Sequence, residues 1–465
     1  MSTTAIVIFA TFTLWLLAND AKRRAGVSPA LWAVVAWITL VGSRPVSAWF
    51  DMGPAVGTAA EAYDEGNPLE RGVYFFLIFF GILVLLRRNV RLRVVIASNA
   101  WLFLFFAYWG LSVFWADASF VSFKRWTKDL GNMVMVMVVL SDSSRLNAIK
   151  AVLKRSACIL VPVSVLFIRF VPALGRTYHS GTGEMMYTGV TTHKNSLGVL
   201  ALVCLIFLLW EFVCKSGEGE LRRSVRSTVG DLTLLLMAGW LLLMSGSATA
   251  LGCAAVGATI VMLLSLKGVR AHARSIEFLG FAIGTGLWAS GAAQSMLEFL
   301  IVDVLGRDLT LTTRTDVWPM LLSKADNVVV GSGFNSFWTG ERLADLYAKL
   351  GIIQAHNGYL ETYLNGGLLA VGLLGMVLLS AVRTTNKQIA QSDPCASLAF
   401  AFIAVSLIYN YTEVSFDKTN MLWFGLLLLI TRYPQGRPSV EFTPASNEPE
   451  TTAPVRRKNV TLQAP

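Results

Sequence analysis

Long apolar blocks separated by short polar connections dominate this chain, and few folds can accommodate them. Hydrophobic residues make up 54% of the sequence and charged residues only 15%, whereas soluble proteins carry ~25% charged residues. A helix needs ~17–25 residues to cross a bilayer, so about thirteen blocks, extended by flanking small residues, could each span a membrane. We therefore predict an all-α fold, a polytopic bundle of about 12–14 transmembrane helices. The blocks are Ala5–Ala18, Leu31–Val41, Val73–Leu86, Val94–Trp115, Met133–Leu140, Cys158–Phe170, Ser196–Val213, Leu232–Met244, Ala250–Leu266, Phe278–Ala293, Gly367–Val382, Ser397–Tyr409 and Met421–Thr431.

The basic residues predict the orientation of the bundle. Most Lys and Arg side chains fall in alternate connections, which the positive-inside rule places in the cytoplasm. The N-terminus and a large loop at 298–365 are then periplasmic, and the net charge of +10 signals topology rather than nucleic-acid binding. We expect one transmembrane domain over 1–432 that includes this loop, followed by a disordered cytoplasmic tail over 433–465. The basic residues counted are Lys22, Arg23, Arg24, Arg87, Arg88, Arg91, Arg93, Arg145, Lys150, Lys154, Arg155, Lys215, Arg222, Arg223, Arg226, Lys267, Arg270, Arg274, Arg383, Lys387, Arg432, Arg437, Arg456, Arg457 and Lys458.

The large loop carries signals of its own secondary structure. Thr313, followed by Arg314 and Asp316, is typical of a helix start, and 331–335 is a Gly-rich turn. Residues 341–350 alternate at helical spacing and end before Gly351, and a further helix is expected to begin near Ala355 and to continue into the next span. A loop of this length with its own helices is usually functional.

His356 is the principal candidate for chemistry in this loop. Its side chain can take and return a proton near neutral pH, so it could act as a general base toward a hydroxyl group. On the predicted helix it would share a face with Tyr359 and Leu360, while Asn357 could bond the backbone at the helix start and Glu361 follows closely. The alternative, equally weighted on the residue alone, is a capping or interfacial histidine.

Arg314 and Arg307 could clamp a diphosphate, because a guanidinium presents a rigid fork of donors to phosphate oxygens. The alternative is structural. Arg314 could instead pair with Asp316 or Asp308, or stack on Trp318 four residues later.

An earlier loop ends in Thr-Thr-His-Lys-Asn-Ser-Leu-Gly over 191–198, where a span begins. Backbone N–H groups at such a helix start, beside Lys194, form a ready site for an anion. His193 and Asn195 could support that site, and Arg176 adds positive potential. An ordinary polar residue at the water interface explains His193 equally well.

Several kinds of site have no motif in the sequence. There is no Asp-x-Asp and no His/Cys cluster, so no metal site is predicted, and no Walker or dinucleotide motif suggests a cofactor.

Four motifs in order resemble one family. Thr-Thr-His-Lys-Asn-Ser-Leu-Gly, Thr-Arg-Thr-Asp-Val-Trp, Gly-Ser-Gly-Phe-Asn-Ser-Phe-Trp and Ala-His-Asn-Gly-Tyr-Leu-Glu resemble the O-antigen ligase and Wzy-type polysaccharide polymerase superfamily. They cover roughly 176–370. The early segments Gly-Ser-Arg-Pro-Val-Ser-Ala-Trp and Glu-Gly-Asn-Pro-Leu-Glu-Arg, with Trp-Ala-Asp-Ala-Ser from Trp115, are more similar to the ExoQ-like exopolysaccharide polymerase branch.

The resemblance implies an inverting, metal-independent glycosyltransferase of the bacterial inner membrane. Such proteins transfer a glycan from undecaprenyl diphosphate to an acceptor sugar at the periplasmic face, and a flippase and a chain-length regulator are further candidate partners. The motif histidine corresponds to His356 as the base, and the motif arginine to Arg314 as a diphosphate ligand. A second essential arginine is harder to place: Arg176 is the nearest match, and Lys194 could supply that charge instead.

Three other functions stay open at this point. A ligase would pass the glycan to a lipid or protein acceptor. A transporter of lipid-linked sugars would require ionisable residues deep in the spans, of which Arg169 and Glu298 are the few that the blocks suggest. A glycosyltransferase of another class would use an acidic base in the first outer loop, such as Asp51, Glu61, Asp64 or Glu65.

Overall fold

The computed structural model describes residues 2–50, 67–178, 183–217, 225–266, 268–269 and 314–433. Within these ranges nearly all regular structure is helical, and one antiparallel hairpin pairs Arg176 with Tyr187. The helices are α1 (Ser2–Arg23), α2 (Leu31–Val41), α3 (Val46–Trp49), α4 (Pro68–Arg87), α5 (Leu92–Ser98), α6 (Ala100–Ser112), α7 (Ser119–Leu140), α8 (Arg145–Phe170), α9 (Pro172–Gly175), α10 (Lys194–Gly217), α11 (Val225–Ser245), α12 (Ala248–Ser265), α13 (Arg314–Ser323), α14 (Gly340–Leu350), α15 (Gly358–Ala390), α16 (Ala396–Thr412) and α17 (Met421–Ile430), and the hairpin strands are β1 (Arg176–Tyr178) and β2 (Met185–Tyr187).

The apolar helices confirm the predicted fold class. Seven of them, α1, α4, α8, α10, α11, α12 and α15, are long and apolar enough to cross a membrane. The bent pair α5–α6 could form one more span, and α2, α16 and α17 are shorter apolar helices. The chain is thus an all-α, multi-pass membrane protein. The apolar block at 278–293, also expected to span, lies outside the described residues.

The block Val94–Trp115, predicted to be one span, is not one continuous helix. The helix breaks at Asn99, where α5 and α6 meet at 101°. The Asn99 amide donates to the carbonyls of Val95 and Arg432, both at 2.8 Å, and its carbonyl accepts from the Arg432 backbone N–H. An Asn side chain that bonds backbone groups in this way competes with the helix.

Two cations that were predicted to lie in a cytoplasmic connection lie within a helix instead. Because α8 already begins at Arg145, Lys154 and Arg155 lie inside it rather than in a connection. They are buried in an ion-pair network with acidic residues of α1, α10 and α11. Its closest pairs join Arg155 to Asp20 at 2.8 Å, Lys154 to Asp231 at 2.9 Å, and Arg24 to both Asp20 and Glu211.

Successive spans run in opposite directions, so the connections between them lie at two opposite ends of the bundle. The functional groups lie at these two ends. We name the end where α10 and α15 begin and α16 ends the site end, because Asn195, His356 and Glu413 meet there. The opposite end, which carries Arg88, Arg383 and the network described above, is the basic end.

The described part of the large loop folds as predicted in two places. Helix α13 begins at Arg314, and α14 ends at Gly351, whose φ of 66° provides the left-handed cap. Leu343 and Leu346 of α14 are buried with Trp338 and Ala355 in a small apolar core of their own. This core holds the loop segment that precedes His356 against the site end.

Candidate active site

The backbone at His356 differs from the expected helix. Helix α15 begins only at Gly358, with Asn357 as its N-cap, and the Asn357 side chain accepts from the backbone N–H groups of Tyr359 and Leu360 at 3.0 Å each. The predicted cap therefore exists, but His356 lies outside the helix and shares no helical face with Tyr359 and Leu360. Its φ of 49° is left-handed, a conformation that is uncommon outside glycine and that costs ~1–3 kcal/mol where the surroundings impose it.

Glu413 connects two of the sequence motifs. One of its carboxylate oxygens, Oε2, lies 3.4 Å from His356 Nδ1, and the other, Oε1, accepts from Asn195 Nδ2 at 2.6 Å. The Glu413 side chain is 7% exposed and that of His356 is 27% exposed. The imidazole is therefore held from the protein side on Nδ1 while part of the ring faces outward. A carboxylate in this position can orient a histidine ring through Nδ1.

The close approach of α15 and α16 explains why a glycine follows Asn357. The Gly358 N–H donates to the Glu413 carbonyl at 3.0 Å, and a Cβ at Gly358 would overlap the Asn410 side chain. Asn410 in turn accepts from the backbone N–H groups of Ser415 and Phe416. These bonds turn the chain after α16 back toward His356.

Glu361 secures the peptide directly before His356. Its Oε2 accepts from the Ala355 N–H and from Trp338 Nε1, both at 3.0 Å, and its Oε1 accepts from Lys418 Nζ at 3.0 Å. Glu361 is buried and fully used in these contacts. It therefore positions His356 through the backbone.

Lys418 and its neighbours add positive charge next to this peptide. Its ammonium group also donates to Asn335 Oδ1 at 2.6 Å, and the Asn335 carbonyl accepts from Arg125 at 2.6 Å. Burial, and then repulsion from the Asp129 carboxylate, raise the pKa of Asp417 well above its usual range.

Trp318 links the start of the large loop to the site. Its Nε1 donates to the Ala355 carbonyl at 3.0 Å. Arg314 is four residues earlier on α13 and so lies on the same helical face as Trp318. The described residues include the backbone of Arg314 and Asp316 but not their side chains, and Arg307 lies outside them.

The other predicted cations are placed differently from one another. Arg176 directs its Nε and one terminal nitrogen at the Ile168 carbonyl, at 3.0 and 2.9 Å, and lies over the Tyr187 ring. Lys194 is the first residue of α10, adjacent to Asn195, and its side chain makes no hydrogen bond or ion pair with any described residue. Lys194 is therefore next in sequence to a residue that contacts Glu413, whereas Arg176 is bonded to the end of α8.

His193 takes a structural position. Its Nδ1 accepts from the Asn195 backbone N–H at 3.2 Å, which satisfies a free donor at the start of α10. The interpretation as a polar residue at the helix entry fits this geometry.

Sequence reasoning missed Glu413, Lys418 and Arg125 as members of this cluster. The sequence does offer a sign of Glu413. It is an acidic residue shortly after the apolar block Ser397–Tyr409, and the C-terminal end of that block is predicted to be periplasmic. Lys418 follows it by five residues in the same short connection.

Across the described residues, no group of three or more His, Cys, Asp or Glu side chains is placed to hold a metal ion. The acidic residues of the first outer loop, Asp51, Glu61, Asp64 and Glu65, lie outside the described residues.

Comparison with known proteins agrees with the motifs. The chain is 25% identical over 383 residues to the exopolysaccharide production protein ExoQ of Rhizobium meliloti (strain 1021), which covers 79% of this chain and 80% of that protein. This relative supports the ExoQ-like family assignment. No protein-family model matches the chain. The ExoQ-like resemblance predicted from the motifs thus extends over most of both chains.

Proposed function

We propose that this ExoQ-like protein is a membrane glycosyltransferase that polymerises glycan repeat units carried on undecaprenyl diphosphate, at the periplasmic face of the bacterial inner membrane. The pairing of His356 with Glu413, beside the start of α10 with Lys194, carries the proposal. It supports a base near the start of a helix that carries a lysine, at one end of an apolar helical bundle.

In the proposed reaction, His356 is the general base. An acceptor hydroxyl attacks the anomeric carbon of the donor sugar, forming a new C–O bond as the bond from that carbon to the diphosphate oxygen breaks. The hydroxyl proton passes to the imidazole, and the electron pair of the broken bond leaves with the lipid diphosphate. Attack opposite the leaving group inverts the anomeric centre. Glu413, bonded to Nδ1, directs Nε2 at the hydroxyl and stabilises the imidazolium that forms.

Cations would stabilise the departing diphosphate. Lys194 lies at the N-terminus of a 24-residue helix, where backbone N–H groups and the helix dipole also favour an anion. Arg314 and Arg307 precede Trp318, which is bonded to the peptide before His356. Cations beside a developing anion can take the place of a metal ion, so we propose a metal-independent reaction.

The bundle also offers a surface for the isoprenoid tail. Phe114, Trp115 and Phe120 are exposed apolar side chains between α6 and α7 at the site end. Trp115 Nε1 donates to the Val330 carbonyl at 3.4 Å, which joins this surface to the large loop. A lipid donor could therefore enter laterally while its head group reaches His356.

Transport of lipid-linked sugars is a second candidate, favoured by the buried ion pairs of Lys154, Arg155 and Glu211. Those charges lie at the basic end, whereas His356 and Glu413 lie at the other. Transport through the bundle would depend on the buried ion pairs at the basic end, whereas glycan transfer would depend on His356 and Glu413.

The test is turnover by the purified protein on a lipid-diphosphate glycan with an acceptor glycan, and sizing of the products. His356→Ala should lower turnover by ~10²–10⁴-fold, as loss of a general base does, while His193→Ala should have a much smaller effect. Cells with an inactive variant distinguish two functions. If the protein is a polymerase, single repeat units would accumulate on the carrier, and if it is a ligase, long chains would accumulate there. Wild-type turnover by a correctly folded His356→Ala protein would refute the role of the base.

A further inference from the structure

A cavity of about 350 Å³ opens at the basic end, far along α15 from His356. Its wall consists of the last turns of α15, Trp101 of α6, and Arg432 directly after α17. Three cations line it, Arg383, Lys387 and Arg432, and none of the described lining residues is acidic. The glycan-transfer site uses none of these groups.

The cationic part of the cavity is held in place. The Arg432 guanidinium donates to the Ser380 carbonyl and hydroxyl, at 3.3 and 3.2 Å, and to the Thr384 hydroxyl. Its backbone is bonded on both sides by Asn99 at the α5–α6 break. Arg432 is therefore fixed before any ligand arrives, which lowers the entropic cost of binding an anion.

The other part of the cavity is apolar and faces the lipid. Trp101 is 40% exposed and Leu379 is 42% exposed, and Met376 lies one turn further into the apolar run of α15. Arg383 and Lys387 follow Leu379 by four and eight residues on the same helical face. The cavity thus changes from apolar to cationic along one helix face, at the point where that helix leaves its apolar run.

We propose that this cavity binds an acidic phospholipid, with its phosphate on Arg383, Lys387 and Arg432 and an acyl chain along Trp101 and Leu379. Basic pockets between transmembrane helices on the cytoplasmic side recognise anionic lipid head groups by this combination. A zwitterionic lipid would offer the same chain, but its own cation would oppose the three fixed charges.

Snorkelling and topology alone would also place Arg and Lys at this end, so the experiment needs a matched pair of cations outside the cavity. Arg91 and Arg93 serve as that control, since both are exposed at the same end of the bundle and neither lines the cavity.

The test uses the purified full-length protein, stripped of lipid in a neutral detergent and given equal amounts of phosphatidylglycerol and phosphatidylcholine. Native mass spectrometry then counts the lipids retained over a titration. Wild type should retain one phosphatidylglycerol in preference to phosphatidylcholine. Arg383→Gln with Lys387→Gln should weaken that binding by roughly 25-fold, at about fivefold per cation near a membrane surface. Arg91→Gln with Arg93→Gln should bind like wild type.

Two further measurements distinguish a charge-selective lipid site from a purely apolar contact and from a site for free phosphate. The charge-preserving swap, Arg383→Lys with Lys387→Arg, should retain the lipid, and its failure to do so would show that charge does not bind it. Excess inorganic phosphate should leave phosphatidylglycerol bound, whereas its displacement would identify a site for free phosphate instead. Equal retention of both lipids, or an equal loss in the control variant, would overturn the proposal.

Discussion

Replacing Glu413 by Gln should slow glycan transfer while leaving the fold intact. Glutamine has the shape of glutamate, and its carbonyl oxygen can still accept from Asn195 Nδ2, which now lies 2.6 Å from the carboxylate. The change removes the negative charge that faces His356 and turns an amide NH₂ toward Nδ1, which favours the tautomer with the proton on Nε2. The imidazolium formed on proton transfer would then lose its stabilising partner.

The size of the effect follows from the distance between the two charges. At 3.4 Å, a full positive and a full negative charge attract by about 1 kcal/mol in bulk water and by about 5 kcal/mol at an effective dielectric constant near 20. Glu413 is buried while His356 is partly exposed, so the pair lies between these limits. Since ~1.4 kcal/mol corresponds to a tenfold change in rate, we expect kcat to fall by roughly 10²-fold.

The assay is steady-state turnover of purified protein on the lipid-diphosphate glycan, with kcat and KM determined separately. The fall should appear in kcat, because the charge acts on a proton transfer that occurs only as the reaction proceeds. Glu341→Gln is the matched control. Glu341 is exposed at the start of α14, in the large loop that also carries His356, and it makes no contact with His356. A Glu413→Gln protein with the kcat of wild type would show that the pair is structural.

Three further predictions test the cations and the topology. Arg314→Lys should be nearly as damaging as Arg314→Ala, because a point charge cannot reproduce bidentate contact with a diphosphate; near-normal donor affinity of the Lys variant would instead assign Arg314 a packing role beside Trp318. A cysteine introduced by Lys349→Cys, at a side chain that is 62% exposed, should react with an impermeant reagent added outside intact spheroplasts, and labelling only after lysis would reverse the topology. Turnover should continue in excess chelator, whereas loss that magnesium or manganese restores would point to a metal site, with Asp51, Asp64 and Glu65 as its first candidates.

The parts of the fold that could be predicted depend on local signals. Helix α14 and its end at Gly351 follow from amphipathic spacing and from a residue that tolerates positive φ. The break at Asn99 could not be predicted in this way, because its partner Arg432 is 333 residues away in sequence. The apolar block that contains Asn99 has no proline that would mark a bend.

The pattern of basic residues predicted an orientation for the bundle but gave no sign of part of the packing. Lys154 and Arg155 fit the count of cytoplasmic cations, yet both are buried against acidic residues of other helices. A basic residue near the end of an apolar block has the same appearance in sequence whether it meets water or an acid on a neighbouring helix. Only the packing of α8 against α1, α10 and α11 separates these two cases.

The candidate site combines a local motif with a distant partner, and the geometry explains the spacing within the motif. His356 can be identified as a candidate from the residues next to it in sequence. Glu413 lies 57 residues later, and no sequence motif links the two residues. Asn357 follows the left-handed His356 and caps the start of α15. Gly358 has no side chain, so α15 can lie close to Asn410 of α16, and the chain after α16 can return toward His356. In this motif, His356 is the proposed proton acceptor, and Asn357 starts the helix. Gly358 allows the close helix contact that lets Glu413 lie next to His356. A side chain at the glycine would separate the histidine from its carboxylate without altering either one.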